Sequence, residues 1–409
     1  MQKPELLAPA GTLNRLETAL AFGADAVYVG GEAFSMRSAA KNFSSDDLLR
    51  AREITLSRQK KLYIAVNIIP HNEDLEPLAV YLEELRALAP DALIISDLGV
   101  FNMAKRIAPN IPIHISTQAN NTNAETFTAW HNLGAERVVC ARELSFAEIK
   151  DIRDKVPRSL ELEAFVHGAM CISYSGRCLL SGYMIGRDSN RGNCAHPCRW
   201  NYSLVEEKRP GEYYPVYENE RGTFIFNSKD LCMIEYIPQL IQSGINSFKL
   251  EGRVKTEYYV ATVVKTYRAA IDRYFENPDT YQTDPLWLEE LSKVSNRHYT
   301  TGFYTGKPDN EAQNYETSAY VRNYEVAAVV TGYDETTGDL LLEQRNRFFV
   351  GDVLETVVPY EDSESFTVAN LRDAEGNPLE SAPHARQKLR LSIGRPLPVL
   401  SLLRKPKND

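Results

Sequence analysis

Short apolar segments rich in Val, Ile and Tyr alternate along this chain with longer stretches of helical periodicity. Glu5 to Pro9 (ELLAP) precedes LNRLETALAFG, and Ala26 to Gly30 (AVYVG) precedes SSDDLLRAREITLSRQK, whose Ser-Ser-Asp-Asp start is a helix-capping signal. The beat continues through Leu62 to Ile69, Ala92 to Ser96, Ile113 to Ser116 and Arg137 to Cys140, each followed by an amphipathic stretch, and reaches Leu160 to Val166. After an interruption, Thr223 to Asn227 (TFIFN) and Ser247 to Leu250 (SFKL) resume it, the latter leading into TEYYVATVVKTYRAAIDRYF. Near-continuous apolar strands separated by amphipathic helices call for a parallel sheet covered by helices. The count fits a closed TIM-like (β/α)8 barrel better than a doubly wound open sheet. No G-x-G-x-x-G follows the first strand and no G-x-x-x-x-G-K-[ST] occurs, so dinucleotide and P-loop readings lose their main support. Near Ser318 the texture changes to short alternating strands with turn signals such as YDETTGD and DAEGNP, the pattern of a small β-barrel. The predicted division is an α/β barrel over 1–275 with a Cys-rich insertion at 167–222, a connector over 276–317, and a small C-terminal β-barrel over 318–409.

A chain of 409 residues can bury a large core without disulfide help. No apolar run approaches the roughly 20 residues of a membrane span, and the start lacks the marks of a secretory signal. The expectation is therefore a cytoplasmic protein with no membrane partner, whose thiols stay reduced and serve as metal ligands or catalytic groups. The net charge of −9 excludes a wholly basic nucleic-acid coat but leaves room for a local basic patch.

In such a barrel the active site forms at the carboxyl ends of the strands, so the polar residues after each apolar run are candidates. They are Arg37 and Asn42, Asn67, Asp97, Gln118 with Asn120, Arg142 with Glu143, His167, Lys229 with Asp230, and Glu251 with Arg253. Five of the six cysteines fall between Cys171 and Cys232: Cys171, Cys178, Cys194, Cys198 and Cys232. The spacing matches neither a zinc ribbon nor a bacterial ferredoxin, and iron-sulfur, zinc and neither all stay open on spacing alone. Glycines at 168, 176, 182, 186 and 192 allow a tight backbone wrap around a cluster. Cys140, ending an apolar strand, reads as core. His167 four residues before Cys171 invites a Cys/His nucleophile, with Glu163 to orient an acid-base group. Adjacent thiols work against a single activated nucleophile. Arg345 and Arg347 beside Phe348 and Phe349 add a basic and aromatic patch of the kind that suits splayed RNA bases.

The stretch Glu163 to Ser181, with Leu6 to Gly11 (LLAPAG), Gly23 to Gly31 (GADAVYVGG) and Lys249 to Lys255 (KLEGRVK), resembles the peptidase U-thirty-two family, historically called collagenase-like proteases. Length and the added β-domain look most like its tRNA hydroxylation branch, which makes 5-hydroxyuridine at the wobble position in a prephenate-dependent reaction. The resemblance implies a 4Fe-4S cluster on Cys171, Cys178, Cys194 and Cys232, with Cys198 as an ambiguous fifth thiol. It implies prephenate as co-substrate and the anticodon region of tRNA as partner. Oligomerisation, with itself or with a paralogue, is left open. On this reading Glu163, His167 and Arg142 are the expected catalytic residues. Arg37, Asn67, Gln118, Lys249, Glu251 and Arg253 are the expected substrate-binding residues, with Arg37, Arg142 and Arg253 as cations for the prephenate carboxylates. The alternatives are a collagenase-like peptidase, a hydroxylase of ribosomal RNA or a quinone precursor, and a scaffold with a structural cluster.

Overall fold

The computed structural model describes residues 2–35, 42–171, 173–200, 203–205, 213–215, 229–306 and 320–407. Seven parallel strands open the chain: β1 (Glu5–Pro9), β2 (Ala26–Gly30), β3 (Lys61–Val66), β4 (Ala92–Ile95), β5 (Ile113–Ile115), β6 (Arg137–Val139) and β7 (Glu161–Ala169). A hairpin of β8 (Ser203–Val205) and β9 (Tyr213–Pro215) follows, then β10 (Asp230–Cys232) and β11 (Ser247–Leu250). Strands β1 to β7 lie in sequence order, and β11 pairs with both β1 and β7. That double pairing closes an eight-stranded parallel barrel. The expected strand at Thr223–Asn227 lies outside the described residues, and β10 instead runs antiparallel beside the end of β7.

Period-two alternation explains the closure. Leu6, Ala8, Val27, Val29, Leu62, Ile64, Leu93 and Ile95 face outward into the main core under the helices. Leu7, Ala26, Tyr28, Tyr63, Ala92 and Ile94 point inward and form their own cluster inside the barrel. Outside lie α1 (Leu13–Ala21), α2 (Ser45–Ser57), α3 (Leu75–Leu88), α4 (Leu98–Ile107), α5 (Ala124–Asn132) and α6 (Phe146–Lys155). The capping signal read at Ser44 is a full capping box with Asp47. A short α7 (Leu180–Ile185) belongs to the Cys-rich segment, and α8 (Ile237–Gln242) precedes β11. The 20-residue α9 (Glu257–Glu276) packs against β1 and α1 and is buried on most of its faces, because α10 (Pro285–Ser292) covers it further.

Strand β12 (Tyr299–Thr300) joins the free edge of β10. The C-terminal residues form an antiparallel half-barrel of β13 (Tyr324–Asp334), β14 (Asp339–Gln344), β16 (Val353–Val357), β17 (Ser365–Thr367), β18 (Leu371–Asp373), β20 (Lys388–Leu391) and β21 (Leu402–Pro406), with a side ribbon of β15 (Phe348–Phe349) and β19 (Ser381–Ala382). It has its own apolar core around Val330, Leu342, Phe348, Leu391 and Leu403. The seam to the first domain is ionic. Arg404, fully buried, pairs with Glu355 at 2.7 Å and with Glu290 of α10, and Lys293 reaches Glu355 at 3.2 Å. Among the described residues no helix is long and apolar enough to cross a membrane.

Candidate functional site

The floor of the barrel is a buried ionic network. Glu163, fully buried on β7, accepts from Lys249 Nζ of β11 at 2.6 Å and from Arg137 Nη1 of β6 at 3.0 Å. Arg137 also binds Glu5 and Glu161, and Glu5 accepts from the Tyr63 hydroxyl at 2.7 Å. These charges replace apolar filling in the barrel interior, where each is satisfied by the next. Burial pulls the Lys249 ammonium down, and the Glu163 carboxylate beside it opposes that shift. Above the network, the Phe165 ring carries the Arg142 guanidinium 4.1 Å from its centroid on one approach and Lys249 Nζ at 5.4 Å on another.

The rim of the barrel collects most of the expected polar residues. Asn67 donates to Gln118 Oε1, which also accepts from Ser116 Oγ at 3.0 Å. Arg142 Nη1 donates to the Ala169 carbonyl at 2.6 Å. Among the described residues, Gln118 Nε2 and Arg142 Nε are buried donors without a hydrogen-bond partner, the kind of unsatisfied group that an anionic or carbonyl ligand completes. Arg253, 5 % exposed, sets its guanidinium against Gly30, where a Cβ would lie 2.2 Å from Nη1. Only glycine leaves room there for the arginine. Arg37 lies outside the described residues.

The segment 170–200 lies over this rim as a cap. Asn120 Nδ2 donates to the Ser175 carbonyl at 3.2 Å, Ile69 N–H to the Asn190 carbonyl at 3.1 Å, and Arg191 pairs with Asp74 at 2.8 Å and Glu73 at 3.1 Å. Gly176, at φ +73°, lets the cap backbone turn directly on Gln118. Between cap and rim runs a cleft of about 390 Å³ lined by Glu143, Cys171, Ser173, Tyr174, Arg177 and Phe303. Burial raises the Glu143 carboxyl, while its own N–H, the Arg142 charge and the Arg142 N–H counteract that. Sequence reasoning noted Glu143 only as a neighbour of Arg142. Nothing in its own surroundings in the chain distinguishes it from a solvated helix-preceding acid.

His167 leaves the expected face. The β7–β11 register steps from Phe165↔Lys249 to His167↔Leu250, skipping Val166, so a bulge turns the imidazole outward under α9. There it sits among the rings of Tyr259, Tyr267 and Tyr299, with centroids 5.9, 5.5 and 5.4 Å away. Burial, helped by the Lys255 charge and opposed by Glu251, pushes its pKa down to about 3. A base that weak, with no hydrogen bond to Cys171 among the described residues, does not form a Cys/His dyad. Glu251 is buried beside it, its N–H donating to the His167 carbonyl at 2.8 Å and its carbonyl accepting from Tyr259.

The cysteines divide in the same way. None of the six is in a disulfide. Cys140 is buried in the main core as its strand-end position implies, and burial pushes its thiol up to about 12. Cys171, Cys178, Cys194 and Cys198 are on the cap; the Cys178 carbonyl accepts from Ser189 Oγ at 2.6 Å and Asn190 Nδ2 at 3.2 Å, and Cys194 Sγ accepts from the His196 N–H. Cys232 pairs opposite His167 of β7 and is buried beside the Tyr267 hydroxyl, 3.9 Å away. Burial pushes its thiol up to about 12. Among the described residues no three His, Cys, Asp or Glu side chains are placed to share a metal ion. Thiolate donors suit a soft metal, and Cys171, Cys178 and Cys194 of the cap with Cys232 of β10 are the residues the resemblance implies for a cluster.

Comparison with known proteins agrees with the architecture. The description "Peptidase family U32" matches residues 11–314, and "Peptidase family U32 C-terminal domain" matches residues 322–404. The chain is 40 % identical to "tRNA hydroxylation protein P1" of Bacillus subtilis, over 99 % of this chain and 96 % of that one. It is 38 % identical to "tRNA hydroxylation protein P" of Escherichia coli, over 94 % and 92 %. A "Collagenase" of Porphyromonas gingivalis is 34 % identical over 74 % of each chain. With both of its halves matched in order and a rim, cap and half-barrel to account for them, the chain belongs to peptidase family U32.

Proposed function

We propose that this protein is a tRNA hydroxylase that oxidises the wobble uridine of certain tRNAs to 5-hydroxyuridine, with prephenate as co-substrate. The observation that carries this reading is the 40 % identity, over nearly the full length of both chains, to a protein named for tRNA hydroxylation. The rim supports it in kind. Among the described residues, Arg142 Nε and Gln118 Nε2 at the rim are buried donors with no hydrogen-bond partner. Such donors suit a carboxylate or carbonyl of a small co-substrate. Arg142 and Gln118 then bind and orient, Arg253 adds positive charge at the end of β2, and the cap excludes water. A tRNA substrate implies a cytoplasmic enzyme. The peptidase alternative loses its dyad, because His167 faces away from Cys171 among the described residues.

Mass spectrometry of tRNA from a strain lacking the gene, complemented with wild type or Arg142→Ala, tests the reading. Wild type is expected to restore 5-hydroxyuridine and R142A to lose most of it, by roughly tenfold or more if one charge-assisted contact worth ~1.5–3 kcal/mol is removed. No 5-hydroxyuridine with wild type overturns the proposal; full activity of R142A removes the role of Arg142.

An iron-sulfur centre on Cys171, Cys178, Cys194 and Cys232 belongs to this proposal by sequence resemblance. When bound, such a centre supplies one-electron or Lewis-acid chemistry. Anaerobically purified protein is expected to hold iron and acid-labile sulfide at about four each per chain, with both falling in Cys232→Ala and not in Cys140→Ala. Equal content in wild type and C232A removes Cys232 from the ligand set.

A further inference from the structure

Glu143 follows β6 at the barrel rim and lines the cleft with Cys171, Ser173, Tyr174 and Arg177 of the cap and with Phe303. Its carboxylate is half-buried and has no salt bridge among the described residues; backbone N–H groups of Glu143 and Arg142 are what hold it. Phe303 is packed on the main core and makes a fixed wall. Tyr174 is 47 % exposed, and the turn that carries it is closed by Arg177 N–H to the Tyr174 carbonyl at 3.2 Å. A cleft lined by two aromatic rings, a half-buried carboxylate and a guanidinium is unsuited to a carboxylate ligand, which would meet Glu143 in a partly desolvated gap. It suits a flat, neutral heterocycle that stacks on the rings and donates a ring N–H. Uracil and guanine have such a donor; cytosine presents an acceptor at the same ring position.

We propose that this cleft receives an unstacked nucleobase of the substrate RNA, uracil at the modified position, stacked on the aromatic lining of Tyr174 and Phe303 with its N3–H donated to Glu143. The assignment rests on the tRNA reading above and adds to it the residues that take the base. Arg177 stands where the phosphate next to an extruded nucleotide needs a cation.

The test uses full-length protein and an anticodon stem-loop carrying uridine or cytidine at the target position. Binding is measured by titration and product by mass spectrometry in the complemented deletion strain. Wild type is expected to bind the uridine stem-loop more tightly than the cytidine one. Glu143→Ala should abolish that preference, and Tyr174→Ala should weaken both stem-loops by roughly tenfold, the scale of one lost base-aromatic stack. Tyr174→Phe keeps the ring and should recover most of what Y174A loses, whereas Glu143→Gln offers both an acceptor and a donor and should restore binding of both stem-loops without the uridine preference. Tyr174 is exposed, so its variants test the cleft even if E143A fails to fold. Unchanged uridine preference in E143A together with unchanged binding in Y174A, with wild type active, overturns the base site alone. Wild type that neither binds the stem-loop nor forms 5-hydroxyuridine overturns the tRNA reading and this assignment with it.

Discussion

Glu163→Leu is expected to lower the unfolding free energy by about 3–5 kcal/mol, the scale for removing one partner of a buried ion pair. Glu163 is fully buried and serves two cations, Lys249 at 2.6 Å and Arg137 at 3.0 Å. Arg137 retains Glu5 and Glu161 when Glu163 is gone, so most of the loss falls on Lys249, whose remaining near neighbours are the Tyr28 and Phe165 rings. Adding Lys249→Met to E163L removes the uncompensated ammonium and should recover a large part of the stability. A urea-unfolding double-mutant cycle reads this directly, with an expected coupling above about 1 kcal/mol. Strictly additive single and double variants would show that the pair contributes nothing beyond its separate burial.

Acid is expected to loosen the barrel floor and the domain seam together. Burial alone raises the Glu5 carboxyl, but the Arg137 charge and hydrogen bond, with Tyr63 and Lys61, overcome that and hold it at about 2. Glu290 behaves alike: burial raises it, and Arg404 and Lys293 bring it to about 2. Each folded-state pKa lies below the ordinary value of 4.5. The unfolded chain therefore binds the proton first, and the stabilisation is complete above about pH 5 and fades as pH falls towards 2. Shifts of this size correspond to contributions on the order of 3 kcal/mol for each group. Thermal unfolding measured between pH 7 and 3 should show the loss, and Glu5→Gln with Glu290→Gln should flatten it while lowering stability at pH 7. A pH dependence unaltered in the double variant would place the acid sensitivity elsewhere.

Much of the scaffold is legible from local pattern. The alternation at Leu6, Leu7 and Ala8, or at Ala26 to Val29, states which residues face the helices and which fill the barrel, because a strand has a strict period of two. The capping box at Ser44 and the helix after Thr256 are likewise local, fixed by side-chain to backbone hydrogen bonds within one turn. Strand-end polar residues could be nominated by the same logic. The structure brings Asn67, Gln118, Arg142 and Arg253 to the rim, and it places Glu163 and Lys249 lower, in contact with each other.

Long-range register decided the rest. The step in pairing between β7 and β11 moves His167 from the barrel mouth to the ring cage under α9, and the antiparallel pairing of β10 carries Cys232 to the same side. Neither follows from spacing, since a one-residue bulge reverses the facing of everything beyond it and leaves no mark in the hydrophobic pattern when both faces are buried. The cleft at Glu143 arises similarly, from Glu143, Cys171, Ser173, Tyr174, Arg177 and Phe303, which meet only after the cap is latched to the rim. The sequence by itself determined the barrel beat, the second β-domain and the family, because each is written in local periodicity or contiguous motif. Which side of the wall each histidine and thiol occupies was decided by the tertiary structure, through strand register that no local segment specifies.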